Sequence, residues 1–443
     1  MSTQPARLRR SIGLWDLVFY GIVMVQPTAP MPLFGIVGQE ARGHVVIAVF
    51  TAGMAMLLTA LSYGRMASVH PNAGSAYTYA GREIHPSVGF LTGWAVILDY
   101  LLNPVICTIW CAKAMENIVS GVPYMAWVAA FALLFTFLNS QGIRTSARAS
   151  EILVLAMIVV ITAFLIAAAR YVLRLPTLGP EMLLRPFYDP QTFSVPLVAT
   201  GTSVALLTYI GLDGISTLSE EVRNPRRNIM LAMVIASCLT VLFSCVQVYA
   251  GQLVWPEFRT FTDVDTAFVH VAGRAGGPIL FQIVNLTLLI ATVGSGMGAQ
   301  LAAARLLYGM GRDNAIPTGF FGAIEPKHGI PRNNVLFTGA LILIGALTMS
   351  YQFGAELLNF GAFIAFMGVN ASALMHAIRA RARVLTHMVP PVLGFLICLG
   401  IFLNLRTASQ LAGGAWIALG VVYAAVKTGG FQRAFVLSDP PAD

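Results

Sequence analysis

The chain has 443 residues, of which 57% are hydrophobic and only 10% charged, against about 25% charged for a soluble domain. A water-soluble fold is excluded and the expected medium is a lipid bilayer. The formal charge of +8 is spread over loops and forms no patch, which argues against nucleic acid as a partner.

A membrane helix needs about 20 apolar residues. Such stretches recur at roughly 13 to 38, 44 to 69, 87 to 112, 123 to 141, 150 to 173, 194 to 219, 228 to 254, 278 to 308, 333 to 351, 354 to 378, 388 to 404 and 410 to 427. The expected class is an all-α integral membrane protein with about twelve transmembrane helices and both termini on one side. The polar start runs into a span far longer than a signal-peptide core, so the first helix is expected in the mature protein.

Span one is interrupted at its middle by Gln26-Pro27-Thr28-Ala29-Pro30, with Pro32 close behind. Prolines there free backbone carbonyls where no water can satisfy them, and such a break persists only where it lines a cavity. Gln26, Pro27, Thr28 and Ala29 are therefore candidate substrate contacts, through backbone and amide groups.

Span three carries Asp99, Tyr100 and Asn103-Pro104. An acid inside an apolar span costs at least about 2.5–3.5 kcal/mol, so it faces a cavity or a partner. Asp99 is either a countercharge to substrate, a coupling group or a structural hydrogen bond to a neighbouring helix. Asn103 either bridges the carbonyl that Pro104 frees or marks a plain kink. Cys107 and Cys111 sit one turn apart, but no His or acid completes a ligand set, and the five cysteines all fall inside predicted spans.

Span six is broken at Tyr209-Ile210-Gly211-Leu212-Asp213-Gly214. Ile210 and Gly211 offer backbone there, and Asp213 is either a countercharge or a gating and proton-carrying group. Tyr100, Tyr209 and Phe363 could clasp an organic ammonium by cation–π contact, worth about 0.5–2 kcal/mol each; the alternative is packing. Gly294-Ser295-Gly296-Met297-Gly298 in span eight reads as close helix packing. Neither a nucleotide loop, a zinc-protease motif nor a nucleophile elbow is present, so an enzyme is not expected, and no cofactor or metal.

Two broken helices in corresponding positions point to a substrate site at the bilayer midplane. If spans one and six are equivalent, residues 1–193 and 194–383 form two five-helix halves in inverted orientation. Residues 384–443 then hold helices eleven and twelve with the tail, all within a single transmembrane domain. The polar intervals 174 to 193, 255 to 277 and 311 to 333 are each a loop or short surface helix. Arg7, Arg9 and Arg10 share one side with Arg65, Arg82, Arg144, Arg148, Arg223, Arg226, Arg227, Arg305, Arg312, Lys327, Arg332, Arg379, Arg381, Arg383, Lys427 and Arg433. Arg42, Lys113, Arg170, Arg174, Arg185, Arg259, Arg274 and Arg406 fall on the other. This asymmetry predicts cytoplasmic termini.

Three segments carry a resemblance. They are Leu61-Ser62-Tyr63-Gly64-Arg65 followed by Pro71-Asn72-Ala73-Gly74-Ser75-Ala76-Tyr77; Gly211-Leu212-Asp213-Gly214 running into Leu218-Ser219-Glu220-Glu221; and Arg305-Leu306-Leu307-Tyr308-Gly309 through Pro317. Together they resemble amino acid, polyamine and organocation transporters. His85-Pro86-Ser87-Val88-Gly89-Phe90, Leu98-Asp99-Tyr100-Leu101 and Asn359-Phe360-Gly361-Ala362 resemble the bacterial putrescine and polyamine importers among them.

The resemblance implies a leucine-transporter-like 5+5 inverted repeat, in which a bundle of broken helices 1 and 6 rocks against a scaffold. It implies uptake across the inner (plasma) membrane driven by an H+ or Na+ gradient. A sodium site in that fold lies between spans one and eight, where Ser295 could offer an oxygen. Span one departs from the pattern, since Gln26-Pro27-Thr28-Ala29-Pro30 replaces a Gly-Ser-Gly type of turn. The expected activity is import of a small organic cation such as putrescine. An amino acid permease and an uncoupled channel or sensory protein are the alternatives.

Overall fold

A computed structural model describes residues 12–70, 75–119, 121–141, 147–176, 178–217, 222–312, 316–325 and 330–428. Arg7, Arg9, Arg10, Arg144, Lys327 and Arg433 lie outside them, as do Pro71 to Gly74, Leu218 to Glu221 and residues 313–315. In hydrocarbon each segment must satisfy its own backbone, and a helix does so within one span. The described residues are accordingly helical, with no strand beyond the isolated bridges Ile12–Val222 and Glu325–Ile330.

The first apolar stretch yields two pieces, α1 (Leu14–Val25) and α2 (Phe34–Glu40). Then come α3 (Val45–Val69), the short amphipathic α4 (Ser75–Glu83), α5 (Pro86–Glu116), α6 (Tyr124–Ser140), α7 (Ala147–Val172) and the short α8 (Pro180–Leu184). A second broken stretch gives α9 (Val195–Ala205), a 3-10 turn at Leu206–Tyr209 and α10 (Gly214–Thr217). The rest are α11 (Pro225–Val254), α12 (Ala267–Arg312), the short α13 (Thr318–Phe321), α14 (Arg332–Thr348), α15 (Tyr351–Arg379), α16 (Val389–Leu403) and α17 (Thr407–Lys427).

Among the described residues nine helical segments are long and apolar enough to cross a membrane, while α1, α6 and α14 are apolar but shorter. One polar interval, expected as a loop or short surface helix, contains both. The interval 255 to 277 is helical from Ala267, and α12 is kinked at Gly277, whose φ of +78° suits glycine, followed by Pro278.

Close approach of small residues builds the centre. A Cβ on Gly361 of α15 would lie 2.3 Å from the Ala95 carbonyl oxygen of α5, and one on Gly64 of α3 would lie 2.6 Å from Met230 Cα of α11. Buried amides add bonds between helices: Asn139 Nδ2 donates to the Met297 carbonyl at 3.0 Å and to Gln300 Oε1 at 2.9 Å. Peripheral α17 is fixed to α5 by two stacked indoles, Trp94 and Trp416, with centroids 4.9 Å apart. Each donates to the other's carbonyl, at 2.9 and 3.0 Å.

Candidate substrate site

The two breaks abut. Three prolines remove the donors that would continue α1, and Gln26 ends it with φ +65°, a sparsely populated region for a residue with a side chain. Its Nε2 donates to the Ala291 carbonyl of α12 at 3.2 Å, which holds the turn against that helix. In the second break Gly211 has φ +109°, and a Cβ there would stand 3.0 Å from the Met24 carbonyl oxygen of the first.

Each break has a carbonyl capped by an amide side chain from a distant helix. Gln247 Nε2 of α11 donates to the Pro27 carbonyl at 2.9 Å. Asn359 Nδ2 of α15 donates to the Ser203 carbonyl at 2.6 Å, at the end of α9. A carbonyl left bare in the core would cost the desolvation of an unpaired polar group; these two amides let both breaks persist.

A cavity of about 420 Å³ opens beside the breaks, within the size range of small-molecule sites. Gln26 and Ala29 of the first break and Ile210, Gly211 and Asp213 of the second line it. Asp99, Tyr100, Asn103, Ile106, Cys107 and Trp110 line it from α5, and Thr292 and Ser295 from α12. No Lys, Arg or His lines the cavity among the described residues. Asp99 and Asp213 thus face one space without a basic partner.

Trp110 and Tyr351 stand at one end of the cavity; Trp110 Nε1 donates to the Asp265 carbonyl at 3.0 Å. Toward the other end the wall is Leu153 and Val154 of α7 with Gly298 and Ala302 of α12.

The first break offers little to an anion. Of residues 27–32, Pro27, Pro30 and Pro32 have no N–H. The amides of Ala29 and Met31 are spent on the Gln26 and Thr28 carbonyls at 3.0 Å each. Only Thr28 keeps an amide uncommitted in that stretch.

Of the expected contacts, Gln26, Ala29, Asp99, Tyr100, Asn103, Ile210, Gly211, Asp213 and Ser295 all border the cavity. Four others do not. Tyr209 is fully buried and its hydroxyl donates to the Val49 carbonyl of α3 at 2.9 Å, so it anchors the break from behind. Phe363 is wholly buried in the helix core. Pro27 turns its carbonyl to Gln247, and Thr28 points its hydroxyl at Met157 Sδ, 3.6 Å away. Trp110, Ile106 and Tyr351 were not foreseen. The α5 pair had a signal, since Asp99, Asn103, Ile106 and Trp110 repeat at helical spacing on one face.

The family model for amino acid permeases matches residues 27–432. The chain belongs to the amino acid permease family. It is 33% identical over 98% of its length, and 96% of the relative's, to the low-affinity putrescine importer PlaP of Escherichia coli strain K12. It is 26% identical over 94% of its length to the methylthioribose transporter of Bacillus subtilis strain 168, covering 92% of that protein. The branched-chain amino acid permease BcaP of the same strain is also 26% identical, with the same coverage. This permease is therefore a multi-pass membrane transporter, and its apolar helices are transmembrane helices.

Proposed function

We propose that this permease is a secondary active transporter that imports a small organic cation, putrescine or another polyamine, across the inner (plasma) membrane. The observation that carries the reading is the cavity walled by Asp99 and Asp213 with no base lining it among the described residues. Its likeness to a putrescine importer over almost the whole chain supports the same substrate class.

In this reading the two carboxylates balance the substrate's ammonium groups, and Tyr100 supplies an aromatic wall. Gln26 and Asn103 contribute amide contacts, and backbone at Ile210 and Gly211 completes the pocket. The pairing of the α1–α2 break with the α9–α10 break supports a 5+5 inverted repeat, the apolar stretches support twelve spans, and the Arg and Lys asymmetry supports cytoplasmic termini. Uptake is coupled to H+ or Na+, with Asp99, Asp213 and Ser295 as coupling candidates.

The second reading is an amino acid permease on the same scaffold, favoured by relatives named for amino acid transport. It must hold a substrate carboxylate, and the proline-rich break leaves few amides for that.

A thermal-shift screen of the purified protein with diamines, polyamines and amino acids separates the two, because a ligand bound to the folded state raises its apparent stability. Stabilisation by putrescine, with matching saturable and gradient-dependent uptake in proteoliposomes, is the expected result. Stabilisation by amino acids alone would replace the first reading by the second.

A further inference from the structure

A second cavity lies further along α7 and α12, separate from the one beside the breaks. It is a groove of about 760 Å³ between α7 and α12, lined by Ala163, Ala167, Arg170, Tyr171 and Arg174 on one side and by Ala275, Gly276, Ile279 and Ile283 on the other. On α7 the spacing is 163, 167, 170 or 171, then 174, a single stripe along the helix. The two helices run in opposite directions, so Arg174 lies near Ala275 at one end while Ala163 lies near Ile283 at the other.

The groove is amphiphilic along its length. Ala163 and Arg174 are separated by about 16 Å of helix at 1.5 Å per residue. At the basic end Arg170 and Arg174 are exposed, and among the described residues neither has an ion-pair partner. No acid lines the groove among the described residues. Arg274 adds a third guanidinium at the rim, held by donation from its Nε to the Tyr171 hydroxyl at 2.9 Å and lying 5.1 Å from the Trp255 ring centroid. Past the kink the groove turns apolar, with Ile279 and then Ile283 75% and 44% exposed. The small residues Ala163, Ala167, Ala275 and Gly276 recess the wall, and the kink at Gly277–Pro278 sits beside the basic end.

We infer that this groove binds one anionic phospholipid. Its phosphate is met by Arg170 and Arg174 near the ends of the helices, and an acyl chain lies along the recessed stripe. Basic pockets between transmembrane helices on the cytoplasmic side recognise lipid headgroups, and the same pairing of cations at the interface with apolar surface below is present here on the side that the charge asymmetry assigns to the outer leaflet. Charge complementarity decides the occupant: two guanidinium groups without carboxylates suit a headgroup with net negative charge, and a zwitterionic lipid carries its own ammonium into the same space.

The test is thermal stability of the full-length protein in detergent, titrated with phosphatidylglycerol, phosphatidylcholine or inorganic phosphate. Phosphatidylglycerol should raise the melting temperature saturably, and the other two should not. In Arg170→Gln/Arg174→Gln the apparent affinity should fall at least tenfold. Both side chains are exposed, so the core is left intact, and an unchanged melting temperature without added lipid checks this. Ala167→Leu, which fills the recess and keeps both arginines, should weaken binding as well.

Equal stabilisation by phosphatidylcholine, or full retention of the phosphatidylglycerol effect in the double variant, would overturn the inference. Reproduction of the effect by inorganic phosphate alone would reduce the site to a free-anion site and equally overturn it.

Discussion

Glu40, the last residue of α2, and Arg406, in the turn between α16 and α17, meet at 2.7 Å although 366 positions separate them. The same guanidinium lies 3.6 Å from Glu356, whose side chain is wholly buried in α15. Gln352 Nε2 donates to both acids at 2.9 and 3.1 Å, and Ser409 Oγ donates to Glu356 at 3.0 Å. The second half of the first broken span is thereby fastened to α15 and α17.

Removing the cation should expose the cost of that arrangement. Breaking a buried pair typically destabilises by about 3–5 kcal/mol. Arg406 is half exposed, so solvent screening brings the expected loss in Arg406→Ala to about 1–3 kcal/mol. Adding Glu356→Gln should recover part of it, because the uncompensated buried charge is then gone. Melting temperatures of the two variants in detergent decide this, and no recovery in the double variant would count against it.

Glu83, at the end of α4, accepts from His70 at 2.7 Å and from His376 at 3.0 Å, with Arg379 at 3.3 Å. Burial pushes its carboxyl up, but the hydrogen bonds and charges of the two histidines outweigh that and leave it below the usual glutamate range. A carboxyl lowered in the folded state stabilises above its unfolded pKa, and that contribution is lost as pH falls through the folded value. Glu83→Gln should therefore be less stable than the parent near neutral pH. Its melting temperature should also fall less steeply on acidification below about pH 4.5. Parallel pH profiles would contradict this.

The two cavity acids should separate by phenotype. Asp213→Asn is expected to fold normally and to lose concentrative uptake. Asp99→Asn should weaken diamine binding about ten- to hundredfold, the equivalent of a lost charge-assisted contact of roughly 1.5–3 kcal/mol, with little change in the pH dependence of uptake. If Asp99→Asn binds diamines like the parent but no longer responds to a proton gradient, Asp99 is a coupling group and the countercharge rests on Asp213.

Gly211→Ala places a methyl group at φ +109° and 3.0 Å from the Met24 carbonyl oxygen. Strain of this kind costs about 1–3 kcal/mol, and the two breaks must part to relieve it. Substrate affinity should fall together with stability. Gly400→Ala, where a Cβ meets nothing within 4 Å, should change neither.

Orientation has a direct check. Ile324 is 45% exposed and lies in the 311–333 interval that the basic residues assign to the cytoplasm. With Cys238, the exposed native cysteine, replaced by alanine, Ile324→Cys should resist an impermeant thiol reagent in intact cells and react once they are permeabilised. Labelling of intact cells would reverse the orientation.

The breaks were legible because proline, paired glycine and buried acid are expensive in hydrocarbon wherever they occur, so each marks itself without a partner. Asp99, Asp213 and Gln26 border the cavity for that reason. Tyr209 and Phe363 illustrate the limit. An aromatic inside an apolar span has no cost that tells a cavity-facing side from a packed one, and Tyr209 spends its hydroxyl on Val49. Gln247 and Asn359 were equally silent about capping, because their acceptors lie 220 and 156 residues away. The motif Asn359-Phe360-Gly361-Ala362 carried the family likeness, and its physical content is now visible: one residue caps a break and another admits α5 at contact distance.

That no base among the described residues lines the cavity of Asp99 and Asp213 bears on the transport cycle as much as on selectivity. Under the proposed function, a vacant site re-exposed to the opposite face carries bare negative charge past a low-dielectric barrier, whereas a loaded one carries that charge cancelled. The return stroke of the empty carrier is then the slow leg, unless protons ride with it. Labelled diamine trapped in vesicles should leave faster when unlabelled diamine waits outside than when the outside is bare, a trans-acceleration set by the electrostatics of an unfilled pocket.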